Sequence, residues 1–332
     1  MADPTILPPP PPALPAPPHH TVFRGPNGIR AGWRVLLFLI VVAAITLTMS
    51  VLIGLGLRLR YGSAAGQRGL GFNTVTPFGL SFTEGMFFLI TALAAWIMSL
   101  IEHRQWRQYG LPLRRAFRQD FWIGLAIGFL AISASLFGIF LLHGFHLTGI
   151  ATHGAELVKA IAAWSITFLL VGLAEEFSFR GYLQYTLTSG IGFWPAAILL
   201  SLLFGAAHYG NPGESKSGLL SVVLFGLLFC FSLRRRGNLW WAVGFHAGWD
   251  WGQTFFYGVA DSGIPPYHNL FNSTFTGPQW LTGGTVGPEA SIFTPIVLAL
   301  VAIVFARVYR ENLYPTAEPR TQTSALGPQP SA

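Results

Sequence analysis

IAAWSITFLLVGLAEEFSFRGYL, residues 161–183, sets two adjacent carboxylates, Glu175 and Glu176, and one guanidinium, Arg180, at the end of a long apolar run. The run from Ile161 to Leu173 reads as a membrane-spanning helix, so the three charges fall in or near lipid depth. One ionisable side chain at that depth costs about 2.5–3.5 kcal/mol on insertion scales, and such groups persist where they pair, face a wet cavity or do chemistry. Two later segments share the feature: Phe204-Gly-Ala-Ala-His208 and His246-Ala-Gly-Trp-Asp250. With Asp250 and two imidazoles added, the load is on the order of 10 kcal/mol before any pairing. A protein with no use for a polar centre is not expected to carry it.

The 332 residues are 52% hydrophobic and only 10% charged, with mean hydropathy +0.51. A soluble domain is roughly a quarter charged. The composition therefore predicts an all-α, polytopic transmembrane helix bundle. The net charge of +7 comes from arginines clustered between apolar runs, as in cytoplasmic membrane loops. No base-stacking motif or zinc-finger spacing accompanies them, so no nucleic-acid partner is expected. The single cysteine, Cys230, lies within an apolar run. It excludes an intrachain disulfide and a multi-cysteine metal site, and reads as a packing residue.

Eight spans are expected, at 35–57, 78–101, 121–142, 157–183, 193–208, 219–233, 239–257 and 292–308. They divide the chain into a proline-rich disordered cytoplasmic tail (1–32), transmembrane helices 1–3 (33–154), a catalytic core of helices 4–7 (155–257), a long extramembrane loop (258–290), helix 8 (291–310) and a disordered tail (311–332). The arginines at 24–34, 104–118, 234–236 and 310 place both termini in the cytoplasm; Arg58, Arg60 and Arg68 dissent. Gly124-x-x-x-Gly128 allows close helix approach, for which ordinary packing is a sufficient explanation.

Glu176 and Arg180 are four apart, share a helical face and can pair. Glu175 sits about 100° around the helix, so Arg180 can hold one carboxylate and leave the other for proton transfer. The plainer reading is an inter-helix ion-pair staple. A lone histidine such as His208 is more often a cap than a catalyst. His246 and Asp250, one turn apart, suit two metal ligands or an imidazole oriented by a carboxylate, and such a pair is usually structural. The combination argues for more. Helix bundles build sites from inward-facing side chains, and this set fits peptide hydrolysis: a carboxylate to take a proton from water, an imidazole to position it, and a donor or metal for the oxyanion. Neither H-E-x-x-H nor G-x-S-x-G occurs.

Glu175-Glu176-x-x-x-Arg180, Phe204-x-x-x-His208 and His246-x-x-x-Asp250, in this order on successive apolar helices, resemble the CPBP family of intramembrane proteases, also called the Abi or CAAX-protease family. The resemblance covers roughly 155–255. Arg107-x-Tyr-Gly-Leu-x-Leu-Arg-Arg, before the third span, is similar to the family's usual approach to it. The loop Gly277-Pro-x-Trp280-Leu-Thr-Gly-Gly…Gly287-Pro-Glu is similar to one in some bacterial members. The resemblance implies an eight-helix bundle around a water-filled cavity in a bacterial cytoplasmic membrane, with a membrane protein or peptide as substrate. It implies Glu175 as the base activating water, assisted by His208, with His246 and Asp250 near the oxyanion. Glu176 and Arg180 form a supporting pair, and Phe204 supports His208. CAAX-processing members resemble H-x-x-x-N, whereas this chain has Asp250, and an ionised aspartate cannot donate to an oxyanion. It could orient His246, be protonated, or bind a divalent metal, zinc above others, with His208, His246 and Asp250 as ligands. The bacterial-looking loop argues against a prenylated substrate.

Two other classes are carried alongside. A non-enzymatic immunity or partner-binding scaffold would keep the polar centre for packing. An ion or proton pathway would use the same residue types, but the paired, glycine-broken helices of symmetric transporters are not seen.

Overall fold

The structure, a computed structural model, describes residues 21–25, 28–62 and 76–314; the polyproline run and the last part of the C-terminal tail lie outside the described residues. The helices are α1 (Ala31–Tyr61), α2 (Pro77–Ile101), α3 (Gln119–Leu141), α4 (Gly154–Arg180), α5 (Tyr182–Ile191), α6 (Phe193–Ala207), α7 (Lys216–Arg236), α8 (Trp240–Asp250) and α9 (Phe293–Val308). Local sequence sets their ends. Thr76 caps α2 by accepting from Gly79 N at 3.2 Å, with Pro77 at the first helical position. Ser215 caps α7 in the same way, through Gly218 N at 3.0 Å. That helix stops at Gly237, in the left-handed region, after three arginines that complement its C-terminal dipole.

Among the described residues, six helical stretches are long and apolar enough to cross a membrane: 31–61, 77–101, 119–141, 154–191, 193–210 and 216–236. Their outward faces expose residues such as Ile40, Leu47, Leu130 and Leu202, as a lipid-facing bundle requires. The chain is an integral membrane protein. The last two of the eight expected spans are shorter. The seventh is α8 continued by a π-helical segment, Trp251–Phe256, and the eighth is the 16-residue α9.

The fourth passage differs from the expected end near Leu183. It breaks at Gly181 and continues as α5 to Ile191, where Gly192 (φ 86°) reverses the chain. From Ile191 back to Glu175 is about 24 Å of helix, and from Phe193 to His208 about 22 Å. Helix α6 therefore returns His208 to the level of Glu175, a match in depth that an end at Leu183 does not provide.

The closest packing is between α3 and α8. A Cβ on Gly124 would sit 2.2 Å from Trp241 O, and one on Gly128 2.0 Å from Phe245 O. Reciprocally, a Cβ on Gly244 would sit 2.1 Å from Phe121 O, and one on Gly248 2.1 Å from Leu125 O. Two small-x-x-x-small stripes thus face each other and fix the register of the helix that carries His246 and Asp250. The entry to α8 is held as well: Asn238 accepts from Trp240 N at 3.0 Å and donates to Asp120 Oδ2 at 3.0 Å, and Arg236 closes on Asp120 Oδ1.

The stretch 258–290 is more than a connection. Strand β2 (Phe271–Phe275) pairs antiparallel with β1 (Phe145–Ile150), from Phe145 opposite Phe275 to Ile150 opposite Phe271. Gly263 N donates to Val286 O at 3.0 Å, and the chain folds back against the helices before α9. Because the α3–α8 backbones touch, Gly128→Leu should destabilise the protein by about 1–3 kcal/mol or more and displace α8. Gly54→Leu, where nothing lies within 4 Å of the added Cβ, should be tolerated. Thermal unfolding of both variants in detergent checks this.

Candidate active site

A cavity of about 310 Å³ opens between α2, α4, α6, α7 and α8 and is walled by the 258–290 segment. Glu175, His208, His246 and Asp250 all line it. Glu176 lies behind Glu175 with its side chain wholly buried.

His246 is the junction. Its Nδ1 lies 3.0 Å from Glu176 Oε1. Its Nε2 lies 3.6 Å from Glu175 Oε2 and 3.5 Å from Asp250 Oδ2. The imidazole is thus oriented chiefly by Glu176 from the neighbouring helix, with Asp250 on its other nitrogen. Arg180 Nη1 reaches the same Glu176 Oε1 at 3.5 Å, so Arg180, Glu176 and His246 form a chain from α4 to α8. Gly172 permits the approach, since a Cβ there would lie 2.9 Å from Val243 O.

The Arg180 guanidinium also lies over the Phe204 ring, 4.2 Å from its centroid, while the His208 ring packs edge-on to Phe204 at 4.7 Å. His208 Nδ1 meets Phe204 O at 2.9 Å, an i−4 contact that leaves Nε2 as the nitrogen for other partners. Glu175 Oε2 has no hydrogen-bond partner among the described residues. The arrangement can place a water between a carboxylate and an imidazole and hold a second imidazole beside them.

His208, His246 and Asp250 line the same cavity but are not gathered as a metal site. Among the described residues no group of three His, Cys, Asp or Glu side chains is arranged to hold a metal ion, and both His246 nitrogens already face carboxylates. As placed, these side chains do not fit an ion.

Three cavity residues escape the motif reading. Glu84, on α2, is the one charged residue between Pro77 and Ile101, and its Oε2 is buried without a hydrogen-bond partner among the described residues. The rule that an intramembrane charge is functional would have found it. Asp261 and Glu289 come from the 258–290 segment. Asp261 accepts from Thr254 Oγ1 at 2.9 Å; Glu289 accepts from Gln253 Nε2 at 3.0 Å and Ser262 Oγ at 3.1 Å. Burial lifts both carboxyls above the ordinary range. No local pattern marks them, because their place depends on how the segment folds back.

Residues 157–252 match the family model described as type II CAAX prenyl endopeptidase Rce1-like. The chain carries a CPBP-family domain. Neither a curated protein nor a solved structure gives a match. The matched segment holds Glu175, Glu176, Arg180, Phe204, His208, His246 and Asp250, and the family it matches is one of endopeptidases. Glu84, Asp261 and Glu289 lie outside it.

Removing Arg180 leaves Glu176 buried beside one remaining partner. Arg180→Met should cost about 3–5 kcal/mol. Much of that should return in the double variant Arg180→Met/Glu176→Gln, which removes the stranded charge. Denaturant unfolding of the single and double variants measures both effects.

Proposed function

We propose that the chain is an intramembrane endopeptidase that hydrolyses a peptide bond of a membrane protein or peptide with Glu175 as general base. The observation that carries the reading is the convergence of Glu175, His208, His246 and Asp250, from three helices, on one cavity within a segment that matches a peptidase family. Glu175 takes a proton from a water positioned against His208 Nε2, and the water oxygen adds to the substrate carbonyl carbon. His246 is oriented through Nδ1 by Glu176, and its Nε2, which comes no closer than 3.5 Å to Asp250, is the donor turned to the oxyanion position. The proton on Glu175 then passes to the amide nitrogen as the C–N bond breaks, leaving a carboxylate and an amine. The buried Arg180–Glu176 pair and the Phe204 ring keep the two imidazoles in place. Following the arginine distribution, both termini lie on the cytoplasmic side.

Purified protein in detergent, incubated with a mixed peptide library and read by mass spectrometry, tests this. Wild type should generate new termini. His208→Ala should lower the rate by about 10²–10⁴-fold, the range for a lost acid–base or positioning group, and Glu175→Gln by at least as much. Unchanged cleavage by a folded Glu175→Gln protein would remove the assignment.

A further inference from the structure

The titratable lining of the cavity is mostly acidic. Glu84, Glu175, Asp250, Asp261 and Glu289 line it, and among the described residues no lysine or arginine does. These five carboxyls outnumber the two imidazoles of His208 and His246. Glu175 Oε2 has no hydrogen bond among the described residues but lies 3.6 Å from His246 Nε2, as Asp250 Oδ2 does at 3.5 Å; Asp261 accepts from Thr254, and Glu289 from Gln253 and Ser262. Glu84 is different. It enters from α2, across from the catalytic helix, and its Oε2 is buried with no donor among the described residues. A carboxylate withdrawn from water without a partner is costly, and a bound cation would relieve that cost.

Taking the proteolytic reading as its base, we propose that Glu84 is a specificity residue that selects substrates with a lysine or arginine beside the scissile bond. A chain ending in a free carboxylate at that point is disfavoured, because it meets Glu84 and, among the described residues, no lysine or arginine lines the cavity. The substrate class is a membrane peptide with a basic flank, such as the end of a spanning segment. Glu84 lies outside the matched CPBP segment, so this preference belongs to the chain's own second helix.

The test uses the full chain in detergent and four peptides that differ only beside the scissile bond: lysine, norleucine, glutamate, and a free C-terminal carboxylate. Wild type should cleave the lysine peptide with kcat/KM at least about tenfold above the norleucine peptide, and the two acidic peptides least. Glu84→Gln should raise KM for the lysine peptide and bring it within about threefold of norleucine, with a smaller change for norleucine than for lysine; Glu84→Lys should favour glutamate. Equal cleavage of all four by wild type, a lysine preference that survives Glu84→Gln, or equal loss on every peptide in a folded Glu84→Gln protein would each overturn the proposal. Binding of the same peptides to Glu175→Gln protein separates the two claims. Tighter binding of the lysine peptide that vanishes with Glu84→Gln, without cleavage by wild type, would sustain the selectivity and refute proteolysis.

Discussion

Glu176 is a wholly buried carboxylate held between Arg180 on its own helix and His246 on another. At that depth none of the three groups is stable without the others, since a single charge stripped of its partners costs several kcal/mol. The chain of contacts therefore sets the relative depth and rotation of α4 and α8. Once those are fixed, Glu175 and Asp250 both approach Nε2 of the imidazole, on the side away from Glu176. Phe204 extends the arrangement to α6, because the same guanidinium lies over its ring and His208 packs on its edge.

Electrostatics alone would leave α8 free to slide, and steric fit removes that freedom. Backbone carbonyls of α3 and α8 occupy the space that side chains at Gly124, Gly128, Gly244 and Gly248 would need. The polar chain defines which groups meet, and the glycine stripes define at what height. The break at Gly181 and the reversal at Gly192 do the same for α6, turning one long helical passage into an out-and-back pair that returns His208 to the level of Glu175.

Much of this is legible in the sequence, for identifiable reasons. Apolar run length locates the spans, and intramembrane charge at Glu175, Glu176, Arg180 and Asp250 locates the centre, because both signals are local. The extension of the fourth helix to Ile191 is not, since a glycine in an apolar run can end a helix or only break it. The role of Gly124 and Gly128 is half legible: the stripe is visible, but its partner, on a helix more than a hundred residues away, is not. Asp261 is hidden altogether, and Glu289 is visible only as the end of Gly287-Pro-Glu, because their burial comes from a segment that pairs with β1 and folds back. Glu84 was open to view, as a lone charge in a span, and went unread because no motif surrounds it.

The account stands on Glu175 being the group that makes the cavity a proteolytic one. The most direct measurement compares membrane proteomes of cells expressing wild type and Glu175→Ala, scored for new peptide termini. The account predicts a defined set of termini present only with wild type. Matching profiles, with both proteins present at equal level and folded, would contradict it.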